Sequence, residues 1–213
     1  MGEWPKKIIQ TYHAIDKIPK VVHTNLEKYA SDYEHIIFSD EMCINFLREH
    51  YGNIFVDKFN YFEQGAFKAD LFRYCYLYKH GGLYLDIKTI LIKSLDEVFT
   101  DRTKCYSVKS SVPQTIYQGV IASPPHNVIF SEVIDYVMKV LTNEVISNNY
   151  EANTRRFWNA INPHQKDWVL FQEVCGEDLC EKTGGKDQYG ACCVVQDDGG
   201  NDVFYTRFRD YPW

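Results

Sequence analysis

The stretch Phe67 to Ile90, FKADLFRYCYLYKHGGLYLDIKTI, constrains the fold more than any other part of the chain. Phe67, Leu71, Tyr74, Cys75 and Tyr78 recur at helical spacing and lay one apolar stripe along a helix. Asp70 and Arg73 are i,i+3 neighbours off that stripe, so their side chains leave the helix in a shared direction. Gly81-Gly82 then stops the helix, since glycine takes left-handed dihedrals at no steric cost. A strand is predicted over Leu83-Tyr84-Leu85-Asp86-Ile87-Lys88. Its period of two sets Leu83, Leu85 and Ile87 on one face and Tyr84, Asp86 and Lys88 on the other. A carboxylate on such a strand is costly to bury alone. Asp86 is therefore either ion-paired with Arg73 or Lys88, or part of a ligand site at the strand's end. Spacing alone leaves both open.

The flanking sequence supplies further α/β elements. Lys7 to Tyr12 reads as a first strand, and ligands of open α/β sheets gather beyond the carboxyl ends of strands, where Gln10, Thr11 and Tyr12 stand. His35 to Phe38 reads as a second strand, with Ser39 or Asp40 capping a helix that runs to about His50. Tyr51 to Gly65 is aromatic-rich and is expected to be an irregular connector, with Lys68 beyond it a solvated helix residue. Cys105 to Val108 and Ile116 to Ile121 read as strands. Pro124-Pro125-His126 introduces an amphipathic helix with Val128, Val133, Ile134, Val137 and Leu141 inward. Tyr150 to Gly176 is expected to be mostly helical and broken at Pro163, and two short strands then flank the turn at Asp197-Asp198. With no repeat or linker in 213 residues, one α/β domain is expected: a central mixed sheet flanked by helices. That domain can equally be the N-terminal module of a longer chain.

Charge and cysteine usage narrow the partners. A net charge of -6 argues against a nucleic-acid backbone, which needs clustered Lys and Arg. No apolar run is long enough for a membrane span, and MGEWPKKIIQ lacks a signal-peptide core. No Gly-x-Gly-x-x-Gly or Walker-type loop occurs. Cys43 and Cys75 fall on apolar stripes and read as core. Cys175, Cys180, Cys192 and Cys193 contain no Cys-x-x-Cys pair, which argues against zinc. A reduced, cytoplasmic protein is expected, with a disulfide among the late cysteines as the lesser alternative.

A helix carrying Asp70-x-x-Arg73-Tyr74, followed by Tyr78-Lys79-x-Gly81-Gly82-x-Tyr84-x-Asp86, resembles the donor-site signature of glycosyltransferase family 32. The large clostridial glucosylating toxins carry a similar segment. Ala69, Leu71 and Leu85 also match in register, and the pattern breaks at Lys88, where the family has the second aspartate of Asp-x-Asp. Family members open with Pro-Lys-Ile-Ile-His-Gln-Thr-Trp, whose last aromatic lies near the nucleotide base; here Tyr12 takes that place.

The resemblance implies a GT-A-type, Rossmann-like fold and transfer of a hexose or deoxyhexose from a UDP-sugar to a glycan or glycoprotein, with retention of configuration. It implies a donor site built from Gln10, Thr11, Tyr12, Asp70, Arg73, Tyr84, Asp86, Ile87 and Lys88. Asp70, Arg73 and Gln118 are the implied catalytic set, with Gln118 close to the donor sugar. Asp86 is the implied ligand of Mn²⁺ or Mg²⁺, helped by a late acid such as Asp198 or Asp210. Lys88 either partly replaces that cation with its ammonium or swings to solvent. Arg207, Arg209 or Trp213 would close over the diphosphate. A virally encoded enzyme of the chlorella-virus kind, working in host cytoplasm, fits this size. The alternative is a degenerate module that binds a sugar nucleotide or glycan without catalysis.

Overall fold

The computed structural model describes residues 2–183 and 192–206. In chain order the elements are β1 (Lys7–Thr11), α1 (Lys20–Tyr29), β2 (Glu34–Phe38), α2 (Asp40–Tyr51), α3 (Asn53–Tyr61), α4 (Gly65–His80), β3 (Gly82–Leu85), β4 (Ile90–Leu91) and α5 (Leu95–Val98). They continue with β5 (Cys105–Lys109), β6 (Ile116–Ser123), α6 (Val128–Lys139), α7 (Asn143–Asn148), α8 (Ala152–Ile161), β7 (Trp168–Cys175), α9 (Cys180–Thr183), β8 (Cys193–Gln196) and β9 (Asp202–Tyr205). The strands form one sheet in the order β2-β1-β3-β6-β5-β7-β8-β9-β4. β1 is parallel to β2 and β3, and β5 to β7; the remaining neighbours are antiparallel, so the sheet is mixed as expected.

Period-two alternation splits the apolar side chains between the two faces of this sheet. Ile9, Tyr84 and Ile121 join a core under α2, α3, α4, α6 and α8. Ile8, Leu83, Leu85, Val120 and Ala122 join a second core, closed by Trp4, Leu26 of α1 and Leu95 of α5. Helix α4 is buried from Asp70 through Leu77 because it lies in the larger core, so its charged pair is carried into the interior with the stripe.

The Gly81-Gly82 pair does more than end α4. Gly81 has φ +65°, and a Cβ there would lie 2.7 Å from the Ser123 carbonyl oxygen. Gly82 has φ +110°, and its Cβ would lie 3.0 Å from the Lys7 carbonyl oxygen. Only glycine lets β3 enter between β1 and β6 at this spacing.

Several expectations are corrected. The strand predicted to Lys88 ends at Leu85, because its pairing with β1 goes no further than Ile9–Tyr84. The chain then turns, with the Thr89 N–H donating to the Asp86 carbonyl at 2.9 Å, and Ile87 packs with Ile18 and Val22 instead of with Leu83 and Leu85. The expected connector at Tyr51 to Gly65 contains α3, set off from α2 by Gly52 at φ +86° and buried through Val56 and Phe59. Val128 is exposed rather than inward. The last part of the segment expected to be helical is β7, whose Trp168 to Gln172 pair in parallel with β5; pairing inside the sheet overrides helical propensity there.

The late cysteines are also paired. Cys175–Cys193 and Cys180–Cys192 are disulfides that join β7 and α9 to the start of β8, while Cys43, Cys75 and Cys105 are buried free thiols. No Cys-x-x-Cys spacing announces this, because the partners meet only through antiparallel β7–β8 pairing, in which Cys175 lies opposite Cys193. Among the described residues no helix is long and apolar enough to cross a membrane. Arg207, Arg209, Asp210 and Trp213 lie outside the described residues.

Candidate active site

β1 and β3 run parallel, and their carboxyl ends open together on a cavity of about 570 Å³. Thr11 and Tyr12 line it from the end of β1, Tyr84, Asp86, Ile87 and Lys88 from β3 and the turn after it, and Lys68 and Arg73 from α4. Asp40, from the start of α2, faces Lys68 across 3.6 Å. The wall thus carries the cations Lys68, Arg73 and Lys88 against the carboxylates Asp40 and Asp86, a local excess of positive charge in a chain whose net charge is -6. Such a cavity favours an anionic ligand.

Arg73 is the hub, and its donors are spent inside the protein. Nε donates to the Ala69 carbonyl at 3.2 Å, Nη1 donates to the Gln118 carbonyl, and Nη2 lies 3.4 Å from Asp70 and 3.6 Å from Asp86. Its guanidinium also stacks on the Tyr84 ring, 4.1 Å from the centroid. Burial alone would lower the Arg73 pKa, but Tyr84, Asp70 and Asp86 outweigh it and hold the group above its ordinary value. Arg73 therefore works as a brace between two carboxylates.

Asp70 sits behind that brace and is not among the residues lining the cavity. Its Oδ2 accepts a 2.6 Å hydrogen bond from Asn153 of α8. Burial raises its pKa; the Arg73 ion pair and the Asn153 hydrogen bond oppose that rise without cancelling it. Tyr74 links the rest of the group, receiving a 3.1 Å hydrogen bond from Asn153 and donating to Oε1 of Gln118. Gln118 is also absent from the cavity wall. Its Nε2 is buried with no hydrogen-bond partner among the described residues.

Asp86 lies just past β3 and is strapped through its backbone. Its N–H donates to the Gly119 carbonyl at 2.8 Å, and its carbonyl accepts from Gln10 Nε2 at 3.3 Å. Gln10 is itself fixed by a 2.8 Å hydrogen bond to His35 and is fully buried, so it supports the turn and does not line the cavity. Tyr84 Oη lies 3.1 Å from Thr11 Oγ1 and 3.3 Å from Asp86 Oδ1. The Lys88 ammonium stands 3.7 Å from Asp86 Oδ2. Both alternatives for Asp86 hold together: it is ion-paired with Arg73 and Lys88, and it lines the cavity.

This donor set is a poor fit for a divalent cation. One oxygen of Asp86 faces Arg73 and the other faces Lys88, so an ion on either would meet a positive charge. Among the described residues Asp86 belongs to no group of three or more His, Cys, Asp or Glu side chains placed to share a metal ion. Asp198 is exposed in the β8–β9 turn. Mg²⁺ sites draw one or two carboxylates from the protein and the rest of their oxygens from water and substrate phosphates, so the charges beside Asp86, more than the number of carboxylates, oppose a cation here.

Thus Thr11, Tyr12, Arg73, Tyr84, Asp86, Ile87 and Lys88 meet at one cavity, and Gln10, Asp70 and Gln118 stand behind it as supports. Reading the sequence missed Asn153, Asp40 and Phe59. Asp40 carried a signal in the phrase Ile37-Phe38-Ser39-Asp40, although its neighbour Ser39 is the cap, accepting from the Met42 N–H at 3.2 Å. Phe59 was hidden by the connector reading, and a lone Asn on α8 offers no sequence signal.

Residues 20–104 match the family described as a glycosyltransferase sugar-binding region containing a DXD motif. The chain is 29% identical over 127 residues to inositol phosphoceramide mannosyltransferase 2 of Schizosaccharomyces pombe, an alignment covering 60% of this chain and 32% of that protein. It is 26% identical over 168 residues to an uncharacterised glycosyltransferase of Acanthamoeba polyphaga mimivirus, covering 75% of this chain and 63% of that protein. A mannosyl phosphorylinositol ceramide synthase of Saccharomyces cerevisiae is 32% identical over 133 residues, 61% of this chain and 34% of its own length. The chain therefore spans about a third of the fungal proteins and under two thirds of the viral one. Among solved structures the PaToxG glycosyltransferase aligns with a TM-score of 0.51 at 16% identity, over 76% of this chain and 70% of that one, which shows a shared GT-A fold.

Proposed function

We propose, from the match of residues 20–104 to a glycosyltransferase sugar-binding region, that the chain transfers a hexose from a nucleoside-diphosphate sugar to a glycan or glycoprotein acceptor. One observation carries this reading: the Arg73–Asp86–Lys88 cluster lies at the joint carboxyl ends of parallel β1 and β3, on a cavity with excess positive charge. In the proposed complex Tyr12 stacks on the base. Thr11, Tyr84 and Asp86 meet the ribose, since the carboxylate accepts hydrogen bonds from hydroxyls. The donor sugar lies toward α4, where Asp70 and Gln118 keep Arg73 in place. Transfer requires that growing charge on the leaving diphosphate be met by fixed cations, while the acceptor hydroxyl is aimed at the anomeric carbon with water excluded. Retention of configuration is carried into the proposal from the resemblance alone.

The resemblance favours a UDP-sugar, and the mannosyltransferase names of the fungal relatives favour mannose as the hexose. Divalent-cation assistance has no support in the donor set around Asp86. The disulfides support an oxidising compartment over the cytoplasm. The test is turnover of a panel of UDP- and GDP-linked hexoses, followed by release of free nucleotide. Turnover of one donor, reduced at least about 100-fold in Asp86→Ala, is expected from the loss of a group that orients the donor. A folded protein that turns over none refutes transfer, and binding without turnover leaves a sugar-nucleotide-binding module.

A further inference from the structure

The cation that neutralises the donor's diphosphate is built into this chain. We propose that the Lys88 ammonium serves in place of a divalent metal, so that nucleoside diphosphates bind equally well with and without one. The inference rests on the donor-site reading above and specifies how that site handles charge.

Three observations converge on it. First, the residue two beyond Asp86, where the matching family has the second aspartate of its Asp-x-Asp, is a lysine. Because the strand stops at Leu85, Asp86 and Lys88 are not alternate residues of a rigid strand; Asp86 opens a turn closed by the Thr89 N–H, and Lys88 within that turn stands 3.7 Å from Asp86, on the cavity wall. Second, the other nearby cations are committed. Arg73 is 5% exposed, with its nitrogens on Ala69, Gln118, Asp70 and Asp86. Lys68 faces Asp40 and lies over the Phe59 ring, 5.5 Å from its centroid. Third, Asp86 is flanked by cations on both oxygens, so a metal entering there must first displace an ammonium.

The Lys88–Asp86 pair then has a plain role before a nucleotide binds. A long, flexible ammonium held at 3.7 Å is at ion-pair distance, longer than a tight charge-assisted hydrogen bond. A diphosphate carries more negative charge than one carboxylate and competes well for it. Lys88 can turn to the phosphates while Arg73 keeps Asp86 paired. Lysine is a common phosphate ligand acting as a point charge.

The test is calorimetric titration of UDP and of GDP, each in EDTA and in Mn²⁺, on the wild type, Lys88→Gln, Lys88→Arg and Lys88→Asp. The wild type is expected to bind at least one nucleotide with the same affinity, within twofold, in both buffers. Lys88→Gln is expected to lose at least tenfold and Lys88→Arg to recover most of it. Lys88→Asp, which restores Asp-x-Asp, is expected to bind in Mn²⁺ only. Wild-type binding that falls tenfold or more in EDTA overturns the inference and leaves the donor-site reading intact. No binding of either nucleotide by folded protein, checked by an unchanged melting profile, overturns both. Manganese electron paramagnetic resonance on the protein alone gives a second readout: bound Mn²⁺ in the wild type would also contradict the proposal.

Discussion

Replacing Asn153 with Ala tests how far a buried amide, beside Arg73, opposes the effect of burial on Asp70. Asn153 is fully buried, and its Nδ2 donates at 2.6 Å to Asp70 and at 3.1 Å to Tyr74. A hydrogen bond to a charged group contributes about 1.5–3 kcal/mol and a neutral one about 1 kcal/mol. Against that loss, alanine removes the Asn153 Oδ1, a buried oxygen with no partner among the described residues, whose relief returns about 1–3 kcal/mol. The net cost at neutral pH is about 2 kcal/mol once the small cavity is included. The pH dependence follows from the sign of the Asp70 shift. Its folded pKa lies above the unfolded value, so its contribution to stability is full below the ordinary carboxylate pKa and is lost as pH rises through the folded pKa. Removing Asn153 removes an influence that lowers this pKa, so the neutral-pH penalty grows in the mutant. Protonation turns the lost bond into a neutral one, and the gap to wild type should narrow by about 1 kcal/mol as pH falls from neutral to the ordinary carboxylate range. Urea denaturation across that range measures both. A gap under about 0.5 kcal/mol at pH 7, or one that widens on acidification, would refute the role assigned to Asn153.

Other expectations are simpler. Thiol titration in denaturant should find three free cysteines without reductant and all seven after reduction; seven before reduction would show the disulfides absent. Gly81→Ala should cost about 2–3 kcal/mol by denaturation, because it combines positive φ with a 2.7 Å approach to a backbone oxygen, and a neutral result would contradict that geometry. Burial and His23 lower the His35 pKa to about 4, so its contribution to stability is present above its unfolded pKa of about 6.5 and is lost as pH falls toward about 4. His35→Gln should flatten the stability profile across that window, and an unchanged profile would move the acid sensitivity elsewhere.

The sequence is most informative where local pattern and packing agree. The α4 stripe, the Gly81-Gly82 stop and the first two strands follow from periodicity, because each carries residues on both sides of a sheet that is buried on two faces. The end of β3 was not legible, since Leu83 to Lys88 alternates perfectly while the chain leaves β1 after Tyr84, although β1 itself runs on to Thr11. β7 was read as helix because its strand character comes from pairing with β5, a partner about sixty residues upstream in the chain. Within the site, Arg73, Asp86 and Lys88 could be named from spacing. That Arg73 braces Asp70 and Asp86 depends on burial of α4 and on Asn153 arriving from α8, which no short pattern encodes.

The most direct measurement is a crystal structure of the protein with its nucleoside-diphosphate sugar, grown in Mn²⁺ and recorded at the manganese edge. The nucleotide is predicted to fill the cavity between Tyr12 and Lys88, with the diphosphate within hydrogen-bond reach of the Lys88 ammonium and no anomalous peak beside Asp86. A nucleotide bound elsewhere would contradict the donor site itself, and a manganese peak bridging Asp86 and the phosphates would contradict the role given to Lys88.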